Sequence, residues 1–205
     1  MIRAVIFDLG NVLIDFDHRI AAQRISRFTD KSQDEIYNLF FDSALTASFE
    51  EGKISPGDFF LKVKEMLGLR IDYDTFLPIW DEIFFITEKN RLVYNLAGEL
   101  KNHYRTALLS NINQLHFEYL KRKYHVFGVF NHVITSYEEG FRKPAPQIYL
   151  KALQLLEVSA QECFYTDDRP ELVSAAAKIG INAFVFSDIE KLKENLLEAG
   201  IIVYA

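Results

Sequence analysis

The stretch Val5-Ile6-Phe7-Asp8-Leu9-Gly10-Asn11-Val12-Leu13 decides the fold of this chain. Residues 4–7 are a short apolar run with β-branched side chains, which predicts a strand buried on both faces. Asp8 follows directly and lies at the carboxyl end of that strand, where open α/β sheets bind their ligands. Gly10 allows a sharp turn or a close approach of the backbone to a ligand. Asp8 alone equally suits a turn or a helix cap, so the rest of the chain has to decide.

Strands and helices alternate through the second half of the chain. Apolar runs predict strands over residues 106–109, 132–135, 163–166 and 183–186. Amphipathic stretches predict helices over residues 88–102, 114–124, 146–157, 170–179 and 189–199. Alternation of this kind implies a parallel, doubly wound sheet, which the first strand completes. The predicted fold class is therefore α/β.

The segment between the first strand and this alternation has a helical pattern and no evident strand. Helix starts are marked by Asp17, by the capping box of residues 32–35, by Ser55-Pro56 and by Asp72. We expect four helices, over residues 17–28, 32–41, 55–68 and 73–85. The predicted domains are an α/β core of residues 1–15 and 89–205 and an inserted helical cap of residues 16–88.

Composition excludes several classes of function. The chain has 205 residues, 49% of them hydrophobic, which is enough for a substantial core. Its net charge is −6 and it has no basic cluster, so we expect neither a nucleic-acid partner nor an anionic membrane surface. Cys163 is the only cysteine, which excludes an intramolecular disulfide.

The sequence also predicts a location. The N-terminus does not resemble a signal peptide, because Arg3 leads straight into a strand. No apolar stretch reaches the length of a membrane span. We therefore expect a cytoplasmic protein without a membrane partner. We also expect the protein to be a monomer or a homodimer.

Polar side chains follow several of the predicted strands. Asp8, Ser110 and the pair Asp167-Asp168 come directly after apolar runs, and Lys143 lies in a loop before a helix. Because the carboxyl ends of parallel strands share one edge, we expect these groups to meet. Each has a plainer explanation by itself: Ser110 as a strand end, Lys143 as a solvated cation, and the two aspartates as a helix cap. Their joint placement favours a single site.

The acidic residues of this set indicate a metal. Carboxylates that lie within a few ångströms of one another repel unless a cation joins them. Oxygen ligands suit Mg²⁺, which binds a few carboxylates, waters and a substrate phosphate rather than a complete protein cage. The sequence therefore predicts a Mg²⁺ site that includes Asp8, Asp167 and Asp168.

Four motifs at these separations resemble those of the haloacid dehalogenase superfamily of hydrolases. They are Asp8-Leu9-Gly10-Asn11-Val12, Ser110-Asn111, Lys143-Pro144 and Asp167-Asp168. The resemblance spans essentially the whole chain and implies a Rossmann-like core with an inserted helical cap. The Asp-Leu-Gly-Asn form, together with Phe141-Arg142-Lys143-Pro144, is similar to sugar-phosphate phosphatases of the α-glucose-1-phosphatase type.

The resemblance implies a Mg²⁺-dependent phosphatase for a small phosphorylated metabolite, such as a hexose 1-phosphate. Asp8 would be the nucleophile that forms an aspartyl phosphate, with Ser110 and Lys143 as further catalytic residues. The implied metal ligands are Asp8, the Gly10 carbonyl, Asp167 and Asp168. The implied phosphate-binding residues are Gly10, Asn11, Ser110, Asn111 and Lys143.

One departure from the superfamily pattern concerns proton transfer. Most phosphatases of this superfamily carry a second aspartate two residues after the nucleophile, and here that position is Gly10. Asp15 is a candidate replacement, although it also suits a structural role at a hinge of the cap, expected at residues 14–16 and 85–88. Without an acid at Gly10, esters with acidic leaving groups, hexose 1-phosphates among them, are expected to react best.

Two other functions stay open. A 2-haloacid dehalogenase also lacks the second aspartate, but it needs no metal and the Asp167-Asp168 pair argues against it. A catalytically silent protein that binds a phosphorylated ligand or a protein partner is supported by the missing aspartate. For a phosphatase, we expect the insert to select the substrate, through a loop of residues 44–53 and side chains in or beside cap loops: His18, Arg19, Phe49, Glu50 and Lys53.

Overall fold

The structure, a computed structural model, describes residues 1–41 and 43–202; the end of the predicted core, residues 203–205, lies outside the described residues. The strands of the described residues are β1 (Ala4–Phe7), β2 (Asp15–Phe16), β3 (Phe84–Phe85), β4 (Arg105–Ser110), β5 (His132–Thr135), β6 (Cys163–Asp167) and β7 (Asn182–Val185). The helices are α1 (His18–Ile25), α2 (Gln33–Phe41), α3 (Ala44–Glu50), α4 (Pro56–Leu67), α5 (Tyr73–Asp81), α6 (Glu88–Leu100), α7 (Gln114–Lys123), α8 (Ser136–Glu139), α9 (Pro146–Leu156), α10 (Pro170–Lys178) and α11 (Ile189–Glu198), with 3-10 turns at Ser26–Phe28 and Ala160–Glu162. None of the described helices has the length and apolar character needed to cross a membrane.

One parallel sheet organises the molecule. Its strand order is β5-β4-β1-β6-β7, so β1 lies in the middle. Phe7 of β1 pairs with Leu108 of β4 and with Thr166 of β6. The residues that follow, Asp8 and Asp167, are therefore neighbours at the carboxyl edge of the sheet. The predicted α/β class with a parallel, doubly wound sheet is confirmed.

Alternate residues of β1 point to opposite faces of the sheet. Val5 and Phe7 pack in a cluster with residues of α6, α7 and α11. Ala4 and Ile6 pack in a second cluster with residues of α9 and α10. Because helices cover both faces, the strand contains no polar residue and all four side chains are fully buried.

Helices α1 to α5 bury a separate apolar cluster around Trp80. The Trp80 ring lies 4.9 Å from Phe40, 4.8 Å from Phe59 and 5.9 Å from Phe76, measured between ring centroids. Aromatic pairs of this kind stabilise by about 0.5–1.5 kcal/mol each beyond the area that they bury. The inserted helices therefore have an apolar core of their own.

The expectation that the insert holds no strand is wrong. β2 pairs antiparallel with β3, with Asp15 opposite Phe85 and Phe16 opposite Phe84. Each of these strands has two residues, too few to show the alternation that identifies a strand in sequence. The resulting ribbon joins the two connections between the sheet and the inserted helices.

Two further predictions for the insert, one loop and one helix, also need correction. Residues 44–53, expected to be a loop, contain α3, because the hydroxyl of Ser43 accepts from the Thr46 N–H at 3.1 Å and caps a helix there. The fourth predicted helix ends at Asp81 rather than at residue 85. Glu82 already has a non-helical ψ of 52°, and β3 begins two residues later.

Asp81 should make stability depend on pH. Its side chain is buried, and Oδ1 has no hydrogen-bond partner. Burial raises the pKa of Asp81 to about 7, although Arg122 lowers it. Because the unfolded pKa is about 3.9, folding favours the protonated form, and stability is lost as the pH rises through about 4 to 7. We expect Asp81→Asn to raise the urea unfolding midpoint above that of wild type, more at pH 8 than at pH 5. An equal gain at both pH values would contradict this account.

Candidate active site

The carboxyl edge of the sheet collects the predicted polar residues. Asp8 follows β1, and its N–H donates to the Thr166 carbonyl at 2.9 Å, which continues the pairing with β6. Ser110 ends β4 and Asp167 ends β6. All three side chains are buried beneath this edge.

Lys143 lies at the centre of the site. Its Nζ donates to Asp8 Oδ1 at 2.6 Å, to Asp167 Oδ2 at 2.7 Å and to the Leu109 carbonyl at 3.0 Å. An ammonium has three N–H groups, so each one finds an acceptor although the side chain is almost fully buried. Burial disfavours the charged form, but the two carboxylates raise the pKa of Lys143 above its ordinary value. Lys143 is therefore a cation in direct contact with Asp8.

Asn111 holds the loop that carries Lys143. Its Oδ1 accepts from the Lys143 N–H at 2.8 Å, and its Nδ2 donates to the Lys143 carbonyl at 2.9 Å. The peptide bond between Lys143 and Pro144 is cis. The Asn111 side chain is thus committed to this loop, which leaves its backbone as the part available to a ligand.

Three carboxylates form a cluster in which a metal ion would fit. Asp8, Asp167 and Asp168 each offer an oxygen, and these oxygens lie within 4.8 Å of one another. Burial raises the pKa of Asp8 to about 7, although Lys143 lowers it. Burial likewise raises the pKa of Asp168, while Lys143 holds the pKa of Asp167 below its ordinary value in spite of burial. A ligand set of oxygens alone with more negative than positive charge suits a hard divalent cation such as Mg²⁺.

The two neighbouring aspartates differ in their surroundings. Asp167 is fully enclosed, and it accepts hydrogen bonds from Lys143, from the Tyr165 hydroxyl and from the Arg169 N–H. Asp168 lines the cavity above the sheet edge, and Asn11 Nδ2 donates to its Oδ2 at 2.9 Å. Asp167 therefore has fewer free lone pairs for a ligand than Asp168 has.

Asn11 and Gly10 shape the turn after β1. Asn11 has a left-handed φ of 55°, and its carbonyl accepts from Lys89 Nζ at 2.8 Å. Gly10 has no left-handed φ; a Cβ at this position would instead lie 2.7 Å from Cε1 of Phe16. A methyl group at Gly10 would press on the Phe16 ring, so close approach of this ring, rather than backbone freedom, favours glycine here.

Hydrogen bonds and an ion pair hold Asp15 at the junction between the sheet and the insert. Its carboxylate accepts from Lys89 at 2.8 Å, from Asn90 at 3.0 Å and from Thr87 at 3.2 Å. Although burial acts in the opposite direction, these hydrogen bonds hold the pKa of Asp15 below its ordinary value. Asp15 does not line the cavity, so its contacts favour the structural role over proton transfer.

A cavity of about 440 Å³ lies between the sheet edge and the insert. Its wall on the sheet side contains seven of the predicted site residues: Asp8, Gly10, Asn11, Ser110, Asn111, Lys143 and Asp168. The opposite wall is largely aromatic, with Phe16, His18, Phe41 and Phe84. The cavity can therefore hold a phosphate at one end and an organic group at the other.

The side chains expected to select the substrate lie in different surroundings. His18 and Glu50 line the cavity. Phe49 is buried in the insert, Arg19 pairs with Asp34 at 3.7 Å, and Lys53 pairs with Glu51 at 2.6 Å. Burial lowers the pKa of His18 to about 4, so its imidazole is neutral near pH 7.

Sequence reasoning missed part of the cavity wall: Phe16, Phe84, His116, Arg142 and Arg169. Arg142 lies within the Phe141-Arg142-Lys143-Pro144 motif and Arg169 directly follows Asp168, and these positions were the available signal. Arg142 Nε lies 2.8 Å from Glu50 Oε2, so an ion pair joins the insert to the core. His116 is held by Asn113 and by the Trp80 carbonyl through its two ring nitrogens.

A doubly wound sheet with an acidic, lysine-bridged cluster at its carboxyl edge defines an α/β enzyme that works at that edge. The chain belongs to the haloacid dehalogenase-like hydrolase family, whose model matches residues 2–180. This confirms the superfamily that the four motifs predict.

Named relatives of the chain include two phosphatases. A D-ribitol-5-phosphate phosphatase of Bacteroides thetaiotaomicron is 24% identical over 190 residues, 90% of this chain and 91% of that protein. A sesquiterpene phosphatase of Aspergillus oryzae is 26% identical over 187 residues, 91% of this chain and 90% of that protein. A crystal structure of a haloacid dehalogenase family enzyme from Bacteroides thetaiotaomicron, in complex with magnesium and inorganic phosphate, is similar with a TM-score of 0.77 at 25% identity, over 91% of this chain and 94% of that one.

The contact between Gly10 and Phe16 can be tested by a double-mutant cycle. We expect Gly10→Ala to destabilise the protein by about 1–3 kcal/mol, because the new methyl group overpacks the Phe16 ring. Phe16→Leu should restore part of that loss in the double mutant, measured by urea unfolding. Gly57→Ala is the matched control, since a Cβ there meets only Ser55 Oγ at 4.0 Å. Strictly additive effects of the two substitutions would refute the contact.

Proposed function

We propose that this hydrolase is a Mg²⁺-dependent phosphatase that acts on a small phosphorylated metabolite through an aspartyl phosphate on Asp8. The observation that carries the proposal is the buried contact between Lys143 and Asp8, next to Asp167 and Asp168. This contact brings a carboxylate and a fixed cation next to a cluster that fits a divalent cation, and phosphoryl transfer uses these three groups. The phosphatase relatives support the same class of reaction.

In this proposal the Asp8 carboxylate attacks phosphorus in line, and water later hydrolyses the aspartyl phosphate. Lys143 holds Asp8 in place and neutralises charge on the transferring phosphoryl group. Ser110 and the Asn111 backbone amide bind further phosphoryl oxygens, together with the turn at Gly10 and Asn11. All of these residues line the same wall of the cavity.

The proposed Mg²⁺ ligands are Asp8, the Gly10 carbonyl and Asp168, with Asp167 either direct or through water. When bound, Mg²⁺ would neutralise phosphoryl charge that Lys143 leaves unbalanced. The three hydrogen bonds that Asp167 accepts favour an orienting role for it, whereas Asp168 presents its carboxylate to the cavity. Asn11 would then position Asp168 for the ion.

We also propose that residues 16–88 act as a cap that selects the organic group of the substrate. Their separate apolar core around Trp80 and their aromatic wall of the cavity support this. The narrower substrate, a sugar phosphate such as a hexose 1-phosphate, rests on the resemblance of the Asp-Leu-Gly-Asn motif. A cytoplasmic location and a monomeric or homodimeric state stay predictions.

The reaction class is tested by turnover of p-nitrophenyl phosphate with Mg²⁺. Asp8→Asn should leave less than about a hundredth of the wild-type rate, because it removes the nucleophilic charge with almost no change in shape. An unchanged circular dichroism spectrum would show that the variant folds. Higher residual turnover would point to another nucleophile, and chloride release from 2-chloropropionate by wild type would favour the dehalogenase instead.

Metal removal tests the cofactor. EDTA should abolish turnover and added Mg²⁺ should restore it, since the carboxylate cluster has too few cations of its own. Asp168→Ala should raise the Mg²⁺ concentration needed for half-maximal rate by about tenfold or more. Asp34→Ala, at an exposed aspartate of the insert, is the control and should change nothing. Full activity in excess EDTA would exclude the metal-dependent mechanism.

A further inference from the structure

The cavity has an unassigned carboxylate on its insert side. Glu50 ends α3 and lines the same cavity as Asp8 and Lys143. Its side chain is 18% exposed, and no hydrogen bond to it occurs among the described residues. The contact with Arg142 at 2.8 Å lacks hydrogen-bond geometry and is an ion pair only. The Oε2 atom of the Glu50 carboxylate is buried without a hydrogen-bond partner.

The position of Glu50 is fixed from both sides. The preceding residue, Phe49, stacks on Phe59 at 4.3 Å between ring centroids, inside the insert core. Two residues after Glu50, Gly52 has a left-handed φ of 65° and packs on the core: a Cβ there would lie 2.2 Å from the Tyr137 carbonyl oxygen. The insert therefore touches the core at this point and holds Glu50 at the cavity on a rigid support.

The other titratable groups of the cavity are poor proton donors. Both ring nitrogens of His116 are engaged, and burial holds the pKa of His116 at about 3. The pKa of His18 is about 4, again through burial. Two further cations of the wall, Arg142 and Arg169, do not release protons near neutral pH. Among the described residues of the cavity, Glu50 is the carboxyl group not already used by the nucleophile or the metal site.

We infer that Glu50 performs the proton transfer for which the Gly10 position has no side chain. The inference rests on the proposed phosphatase activity and adds a catalytic residue to it. Burial raises the pKa of Glu50, while Arg142, Arg169 and Lys143 lower it by a smaller amount. A phosphate dianion that binds at Lys143 brings negative charge into the same cavity and raises the pKa further. Substrate binding thus favours the protonated acid that the first step needs.

The chemistry balances over two steps. In the first, an Asp8 oxygen bonds to phosphorus while the ester P–O bond breaks, and the leaving oxygen keeps the electron pair and takes the Glu50 proton. In the second, water bonds to phosphorus while the bond to Asp8 breaks, the electron pair returns to the Asp8 carboxylate, and Glu50 accepts a proton from that water. Glu50 ends protonated, as it began.

The test compares an aryl with an alkyl ester, p-nitrophenyl phosphate and glycerol 3-phosphate, and follows kcat/KM with pH. Glu50→Gln should lower kcat/KM for the alkyl ester by about 100-fold or more and for the aryl ester by less than about 10-fold, because only the alkoxide needs a proton to leave. Glu50→Gln should also remove the fall in kcat/KM at alkaline pH, because that fall reflects deprotonation of Glu50. Glu51→Gln, the adjacent residue, is the control and should match wild type on both esters.

A purely structural role of Glu50 predicts a different result in this test. If Glu50 only holds the insert through Arg142, Glu50→Gln and Arg142→Leu should lower both esters equally, and this outcome would overturn the inference. If Glu50 is the acid, adding Glu50→Gln to Arg142→Leu should still lower turnover of the alkyl ester more than that of the aryl ester. Arg142→Leu alone should shift the alkaline fall in kcat/KM to higher pH, since a neighbouring cation is gone. The expectation that acidic leaving groups react best would then apply to Glu50→Gln rather than to wild type.

A measurement without turnover separates this inference from the phosphatase assignment. The Glu50 carboxyl can be titrated by ¹³C NMR in the presence and absence of inorganic phosphate. We expect a pKa above the ordinary glutamate range that rises further with phosphate. An ordinary pKa, unchanged by phosphate, would overturn the role of Glu50 even if the protein hydrolyses phosphate esters. Absence of turnover in wild type would refute the phosphatase assignment and, with it, the catalytic role.

Discussion

The ammonium of Lys143 between Asp8 and Asp167 is the interaction on which the site depends. It joins the ends of β1 and β6 to the loop before α9, and its third hydrogen bond reaches the end of β4. All three charged groups are almost fully buried, so loss of the Lys143 ammonium would leave two buried carboxylates without their cation, at a cost of about 3–5 kcal/mol. The charges are therefore held together whether or not a ligand is present, and in the proposed reaction the nucleophile is positioned before the substrate arrives.

The fold and the sheet side of the site could be predicted from sequence for one physical reason. Parallel strands end at a common edge, so Asp8, Ser110 and Asp167 had to meet once their strands were recognised. That inference needs no knowledge of loops or side-chain directions. Lys143 was harder to assign, because its loop is shaped by hydrogen bonds with Asn111, a contact between residues 32 positions apart.

The insert side could not be predicted in the same way. The closeness of Phe16 to Gly10 depends on how a two-residue strand turns back over the site, and neither strand of that ribbon has a periodic signal. The pairing of Glu50 with Arg142 likewise depends on where α3 meets the core, and α3 itself resembled a loop in sequence. Local patterns identify elements, whereas these contacts follow from how separate elements pack.

The two walls of the cavity are therefore under different constraints. The sheet side is built from strand ends whose spacing the sheet fixes, and a change there disturbs Lys143 and both of its carboxylates. The insert side rests on helices with their own core around Trp80, joined to the sheet by a short ribbon and by the contacts at Glu50 and Gly52. Of the aromatic residues on that wall, Phe16 lies against Gly10 in the turn after Asp8 and is coupled to the sheet side. In the proposed phosphatase, such a division would let one phosphoryl-transfer site serve different organic groups, provided that the contact holding Glu50 against the core is kept.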